Sequence, residues 1–172
     1  MNIIQLQTSY DPEQDRLLLR VNTECGVELR LWLTRRLLNG FLPIWYQAVA
    51  HARGLSLPAA ATPQARIALL AMERSQVAAS SNSSQPFQEV ASPTQLPFGD
   101  LPLLVSEVRL TPLENGNLHT EWLRGLEKVG LELGPALMHN LSQLFENGVA
   151  SAQWGISHVN PMPLDVTPPV KH

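Results

Sequence analysis

The feature that most constrains this chain is a hydrophobic pattern that occurs twice, in residues 28–45 and again in residues 128–145. At an offset of 100 positions the two copies share six apolar sites: Leu31 with Leu131, Leu33 with Leu133, Leu37 with Leu137, Phe41 with Leu141, Ile44 with Leu144 and Trp45 with Phe145. In each copy the apolar residues first alternate and then recur every three to four positions. This change of period predicts a strand that leads directly into a helix. We interpret the match as an internal duplication, the alternative being a common motif with a chance offset.

Further strands are predicted before each copy. Alternation over residues 2–10, 16–22 and 27–33 predicts an antiparallel meander, followed by a helix over residues 35–53 that Thr34 can cap. The second half repeats this order, with strands at 104–110, 118–124 and 128–133 and a helix at 136–147. Asn115-Gly116 favours a tight hairpin turn.

These segments predict an α+β fold of two βββα units, each a meander plus a helix, in a pseudo-twofold arrangement. One such unit would bury too little apolar surface to be stable alone, so the two should share a core. A middle helix over residues 64–79 is inserted between them, and the Ser/Pro/Gln-rich sequence after it predicts a flexible linker. We expect four regions: the first unit at 1–54, the inserted helix and linker at 55–102, the second unit at 103–155 and a proline-rich tail at 156–172.

Composition bears on partners and location. The chain has 172 residues and a net charge of −3, which gives no overall attraction to nucleic acid or to an anionic membrane. Neither a signal peptide nor an apolar run of the ~20 residues that a membrane span needs is visible. A single cysteine, Cys25, excludes an internal disulfide. We therefore expect a cytoplasmic protein that does not interact with membranes.

Catalytic and metal-binding patterns are missing from the sequence. It contains no GxSxG, P-loop, GxGxxG or HExxH motif. Metal-ligand spacing is also missing among Cys25 and the five histidines, which are at positions 51, 119, 139, 158 and 172. We therefore expect that the protein is not an enzyme and uses no cofactor and no metal.

The most distinctive candidate site is the outward face of the first meander. Three arginines and a tryptophan alternate there with inward leucines, and they are Arg16, Arg20, Arg30 and Trp32. Guanidinium groups bind phosphate and an indole stacks on a base, so this face suits single-stranded nucleic acid. The structural alternative is that the middle helix or another subunit covers Trp32, while the arginines pair with Glu28 and Asp15.

Two further cations, Arg35 and Arg36, lie at the start of the first helix. The helix dipole favours acids at this end, so two arginines here indicate a bound anion or an acidic partner. The alternative is that both side chains extend along the sheet edge in solvent.

Residues 10–36, with DRLLLRV at 15–21 and ELRLWLTRR at 28–36, resemble a small family of uncharacterised bacterial proteins, which implies no particular activity. In topology the doubled sheet–helix unit is similar to the PUR and Whirly group of single-stranded nucleic-acid binders. That resemblance implies binding on a sheet face. The group has four strands before each helix and lysine-rich strand motifs, whereas three strands are predicted here and only Lys128 and Lys171 are lysines.

Two functions follow from these observations. The first is a non-enzymatic binding or protein-interaction module that acts as a homo-oligomer or on a protein partner. The alternative is binding of single-stranded nucleic acid through the Arg/Trp face.

Overall fold

The computed structural model of the protein describes residues 2–55, 72 and 95–156. Its elements follow in the order β1 Ile3–Asp11, β2 Arg16–Thr23, β3 Glu28–Thr34, α1 Arg35–Leu55, β4 Leu103–Leu104, β5 Glu107–Pro112, β6 Leu118–Arg124, β7 Glu127–Leu133 and α2 Pro135–Ser151. The fold is α+β, and a helix follows each group of strands, as the sequence predicts. The predicted middle helix, apart from Met72, the linker before residue 95 and the tail from residue 157 lie outside the described residues.

Two antiparallel meanders form the two sheets. β1, β2 and β3 pair in sequence order, and so do β5, β6 and β7. The residues that alternate inward lie opposite one another, as in the pairs Leu17–Leu33 of the first sheet and Leu118–Leu133 of the second. This register gives each sheet one apolar face and one mostly polar face.

A crossover joins the two sheets. The short β4 pairs in parallel with β3, so residues 103 and 104, placed in the second unit from the sequence, extend the first sheet. Of the next two residues, Val105 forms a hydrogen bond to the first sheet and Ser106 forms one to the second. The Val105 N–H donates to the Trp32 carbonyl at 3.0 Å, and the Ser106 N–H donates to the Leu123 carbonyl at 2.8 Å.

Both helices begin where local chemistry favours a helix start. The Leu37 N–H donates to Thr34 Oγ1 at 3.2 Å, which confirms Thr34 as the cap of α1. α1 then continues through Pro43 to Leu55. α2 begins with Pro135, whose missing N–H would have no helical partner at this position.

In the part of the chain that the structure describes, a single apolar core lies between the sheets and the helices and draws on both halves. Four aromatic rings meet at its centre, with neighbouring centroids 5.6–6.5 Å apart: Phe41, Trp45, Trp122 and Phe145. Both indole N–H groups at this centre have acceptors. Trp45 Nε1 donates to Ser142 Oγ at 2.9 Å, and Trp122 Nε1 donates to Thr120 Oγ1 at 3.0 Å. The aromatic centre is therefore fully hydrogen-bonded as well as closely packed.

Equivalent positions of the two halves meet in this core. The rings of Trp45 and Phe145, 100 positions apart, are edge-on at 5.9 Å. The Tyr46 hydroxyl, in turn, donates to Glu146 Oε1 at 3.0 Å. A residue that contacts its own equivalent lies close to the axis that relates the two. This geometry is the one expected of two βββα units about a pseudo-twofold axis, while duplication of the sequence stays a prediction.

α2 approaches β2 closely at Gly148, and this contact gives a first prediction. A Cβ atom added there would lie 2.7 Å from Cδ1 and 3.2 Å from Cδ2 of the fully buried Leu17. Gly148→Ala should gain about 1 kcal/mol of helix propensity and lose about 1–3 kcal/mol to overpacking, so it should be destabilising. At Gly40 of α1 an added Cβ would meet nothing within 4 Å, so Gly40→Ala should be stabilising by about 0.5–1 kcal/mol.

Urea denaturation of the two variants checks this difference in sign. A Gly148→Ala variant that is more stable than the wild type would contradict the close approach of α2 to Leu17.

Candidate functional site

The outward face of the first sheet carries the predicted arginines and tryptophan. In the register of β2 and β3, Arg20 lies opposite Arg30, Trp32 opposite Leu18 and Arg16 opposite Thr34. All four predicted residues of this face are half-buried. The alternation therefore places Arg16, Arg20, Arg30 and Trp32 together, as expected.

A buried carboxylate lies on this face at the first residue of β3. Glu28 is 2% exposed, and its Oε1 accepts hydrogen bonds from Nε of both Arg20 and Arg30 at 2.8 Å. Burial would raise the pKa of Glu28, but the hydrogen bonds and charges of the two arginines outweigh it and hold the pKa below its usual value. Both guanidinium groups thus already bind an anion of their own sheet.

Asp15 takes different partners from those predicted. Its Oδ1 accepts hydrogen bonds from Trp154 Nε1 at 2.6 Å and from the Tyr10 hydroxyl at 2.9 Å. These bonds lower the pKa of Asp15, to which the charge of Arg35 also contributes. The rings of Tyr10 and Trp154 are edge-on at 6.0 Å. The cluster attaches the chain after α2 to the first hairpin, so its role is structural.

A groove of about 650 Å³ lies between α1 and β5. The α1 side chains in its lining are apolar except at one end, where Arg36 lies exposed. From β5 come the inward-facing Val108 and Leu110, which are only half-buried. Ile44 is 59% exposed in this lining. Among the described residues, the groove therefore combines an exposed apolar surface with a cation.

The sequence did not identify this groove. Ile44 falls on the helical spacing of core residues and matches Leu144 in the repeat, so the pattern predicts burial. The available signal was the breadth of the apolar face of α1, where Leu37, Phe41 and Ile44 run beside Leu38 and Trp45. Such a face is wider than one packing surface needs.

The corresponding contact in the other half contains a hydrogen bond between strand and helix. There α2 packs on β1, and Thr8 Oγ1 donates to the carbonyl of Leu144 at 3.0 Å. Leu144 is the residue that matches Ile44. A side chain of β1 thus binds the backbone of the opposing helix directly.

An exchange of residue types explains why the two contacts differ. Thr8 lies opposite Leu19 in the first sheet, whereas Leu110 lies opposite Thr120 in the second. In the first sheet the threonine is on the outer strand β1 and the leucine on the middle strand β2. In the second sheet the leucine is on the outer strand β5 and the threonine on the middle strand β6. Leu110 has no hydroxyl to donate to α1, so the equivalent hydrogen bond cannot form beside Ile44. The two helix–strand contacts thus differ in this hydrogen bond, and the matched side chains differ in exposure: Ile44 is exposed and Leu144 is half-buried.

Metal-binding and membrane-spanning features were sought over the same residues. No group of three or more histidine, cysteine, aspartate or glutamate side chains is placed to hold a metal ion in the described part of the chain. In that part, neither helix combines the length and apolarity needed to cross a membrane. Comparison with protein-family models, curated proteins and solved structures finds no match to this chain.

Proposed function

We propose that this chain is a non-enzymatic protein-interaction module that binds a segment of a partner protein in the groove between α1 and β5. The observation that carries the proposal is the apolar lining around Ile44, which is 59% exposed. The equivalent Leu144 is half-buried, and its carbonyl accepts a hydrogen bond from Thr8. Removing such a surface from water stabilises a complex.

The lining defines the chemistry of the partner. Its apolar walls favour aliphatic or aromatic side chains. Arg36 is the charged group of the lining, so a carboxylate beside the apolar side chains would be complementary. We infer that the partner segment carries apolar residues next to an aspartate or glutamate. The other polar side chains of the lining, Thr34 and Ser106, provide no general base, so the groove suits binding better than catalysis.

Binding of single-stranded nucleic acid is supported less well. Arg20 and Arg30 donate to the same Glu28 oxygen, which leaves less of their charge for a phosphate. Trp32 is half-buried, so less of its ring is accessible to a base. Fluorescence anisotropy with a labelled oligonucleotide at low salt separates the two functions. The interaction module should not bind it, whereas salt-sensitive binding that is lost in Trp32→Ala would favour nucleic acid.

A random peptide library displayed on phage tests the groove directly. Selection on the wild-type protein should enrich peptides with apolar residues beside an acid. By fluorescence anisotropy, Ile44→Asp should weaken binding of these peptides by about tenfold or more, equivalent to about 1.4 kcal/mol. Arg36→Glu should weaken it several-fold by reversing the charge at the rim.

Ile4 provides a matched control for the substitution at Ile44. It is 57% exposed on β1 and does not line the groove, so Ile4→Asp introduces the same charge elsewhere. Peptide binding should be unchanged in this variant. The proposal fails if no peptides are enriched, or if those selected bind the wild type and Ile44→Asp equally.

A further inference from the structure

The turn between β6 and β7 presents a leucine fully to solvent. Arg124 pairs with Glu127, so Gly125 and Leu126 are the two turn residues. Gly125 has a φ of +59°, which a tight hairpin turn of this kind requires. Leu126 is 102% exposed, and Glu127 beside it is also exposed. Such turns usually carry polar residues, so the pattern of one protruding apolar side chain next to a carboxylate needs an explanation.

This turn lies next to the groove. Ser106 of the lining donates from both its N–H and its hydroxyl to the carbonyl of Leu123, at 2.8 and 3.1 Å, three residues before Leu126. Val105 of the same lining donates to Trp32, two residues before Thr34 and the start of α1. The turn is therefore connected to the groove lining through Ser106, at the end of the lining where β5 begins.

We propose that the partner is a second copy of this chain, and that the Leu126–Glu127 turn of one protomer enters the groove of the other. Leu126 supplies the apolar side chain, and Glu127 supplies the carboxylate for Arg36. This inference rests on the proposed function, because it names the occupant of the same groove.

The charges at the turn agree with this role. Lys128 Nζ lies 3.5 Å from Glu121 Oε1, so this lysine has an acidic neighbour across the hairpin. Glu127, by contrast, makes no ion pair with any residue of the described chain. Its carboxylate is available to the partner's groove.

The position of the turn beside the groove determines the symmetry of the complex. When a projection and its receptor are adjacent on one surface, two copies can exchange them mutually about a twofold axis. The product is a closed dimer and not an open filament. Two turn–groove contacts form a small interface, so we expect dissociation at micromolar concentrations, roughly 1–100 µM.

Sedimentation velocity of the full chain across this concentration range tests the proposal. The wild type should show a monomer–dimer equilibrium. Leu126→Asp and Ile44→Asp should each be monomeric, because either one places a charge in the apolar contact. Glu127→Arg should weaken the dimer at least about tenfold, and combining it with Arg36→Glu should restore most of the affinity.

Leu101 gives the matched control for the substitution at the turn. It is 80% exposed and belongs to neither the turn nor the groove lining, so Leu101→Asp should dimerise like the wild type. Leu126→Asp changes only an exposed turn residue, and an unchanged circular dichroism spectrum verifies that it is folded.

The possible results separate the two proposals. A wild type that stays monomeric at about 100 µM, or a dimer that Leu126→Asp leaves intact, overturns the second-copy occupant. If the displayed peptides still bind in the groove in an Ile44-dependent way, the interaction function stands and only the identity of its partner is wrong. If no peptide binds either, both proposals fail.

Discussion

Replacing Glu28 with alanine should lower the free energy of unfolding by about 3–5 kcal/mol, the usual cost of removing one partner from a buried ion pair. Glu28 is 2% exposed, and the side chains of Arg20 and Arg30 are 16% and 29% exposed. Without the carboxylate, the two guanidinium groups lie opposite each other across β2 and β3 as like charges. Urea denaturation at neutral pH measures the loss.

A second ion pair in the molecule separates burial from charge pairing. Glu107 and Arg109 have the same two-residue spacing on a strand, and their hydrogen bond is 2.7 Å long. Their side chains, however, are 54% and 58% exposed. Glu107→Ala should therefore cost no more than about 0.5 kcal/mol, because water screens the pair. Equal losses in the Glu28 and Glu107 variants would contradict the importance that we give to burial.

Lowering the pH should remove the stabilisation that the Glu28 carboxylate provides. The fold lowers the pKa of Glu28, so the unfolded chain takes up a proton more readily than the folded protein. The stability that Glu28 contributes is complete above its unfolded pKa of about 4.3 and is lost as the pH falls through the folded pKa. The stability difference between wild type and Glu28→Gln should therefore shrink below about pH 4. A difference that stays constant with pH would exclude Glu28 as the titrating group.

The fold could be predicted wherever an element has one apolar face. Leu17, Leu19 and Val21 each follow a half-buried residue, and all three are completely buried. The cap at Thr34 followed from residue type alone. β4 escaped prediction as part of the first sheet because it has two residues, and its pairing depends on the path of the crossover rather than on a period.

The candidate site could be predicted only in part. Alternation placed Glu28, Arg20 and Arg30 on one face, but it carries no information on how deeply a carboxylate of that face is buried. The groove depends on which residue of β5 meets α1, and this is a long-range relation. Ile44 and Leu144 are equivalent in the sequence pattern, yet only Leu144 has a threonine of the opposing strand to bind its carbonyl.

Replacing Phe145 with alanine should lower the free energy of unfolding by about 3–5 kcal/mol. Phe145 is fully buried. Its ring lies 5.7 Å from Phe41, 5.9 Å from Trp45 and 6.5 Å from Trp122, measured between centroids. Truncation would leave a cavity lined by aromatic rings, two of which are held in place by the hydrogen bonds of their indole N–H groups.

Whether Phe145→Ala destabilises one sheet or both is more informative than the size of the loss in stability. Because Phe145 contacts α1 of the first half and β6 of the second, both sheets should become less stable together, in one cooperative transition. Native-state hydrogen exchange resolves the two sheets: amides of β2 and of β6 should lose equal protection. Leu137→Ala, which changes a half-buried residue of the same helix, should cost only about 1 kcal/mol. Loss of protection confined to β5, β6 and β7 would mean that the halves fold independently, and the shared core would then not be what stabilises them.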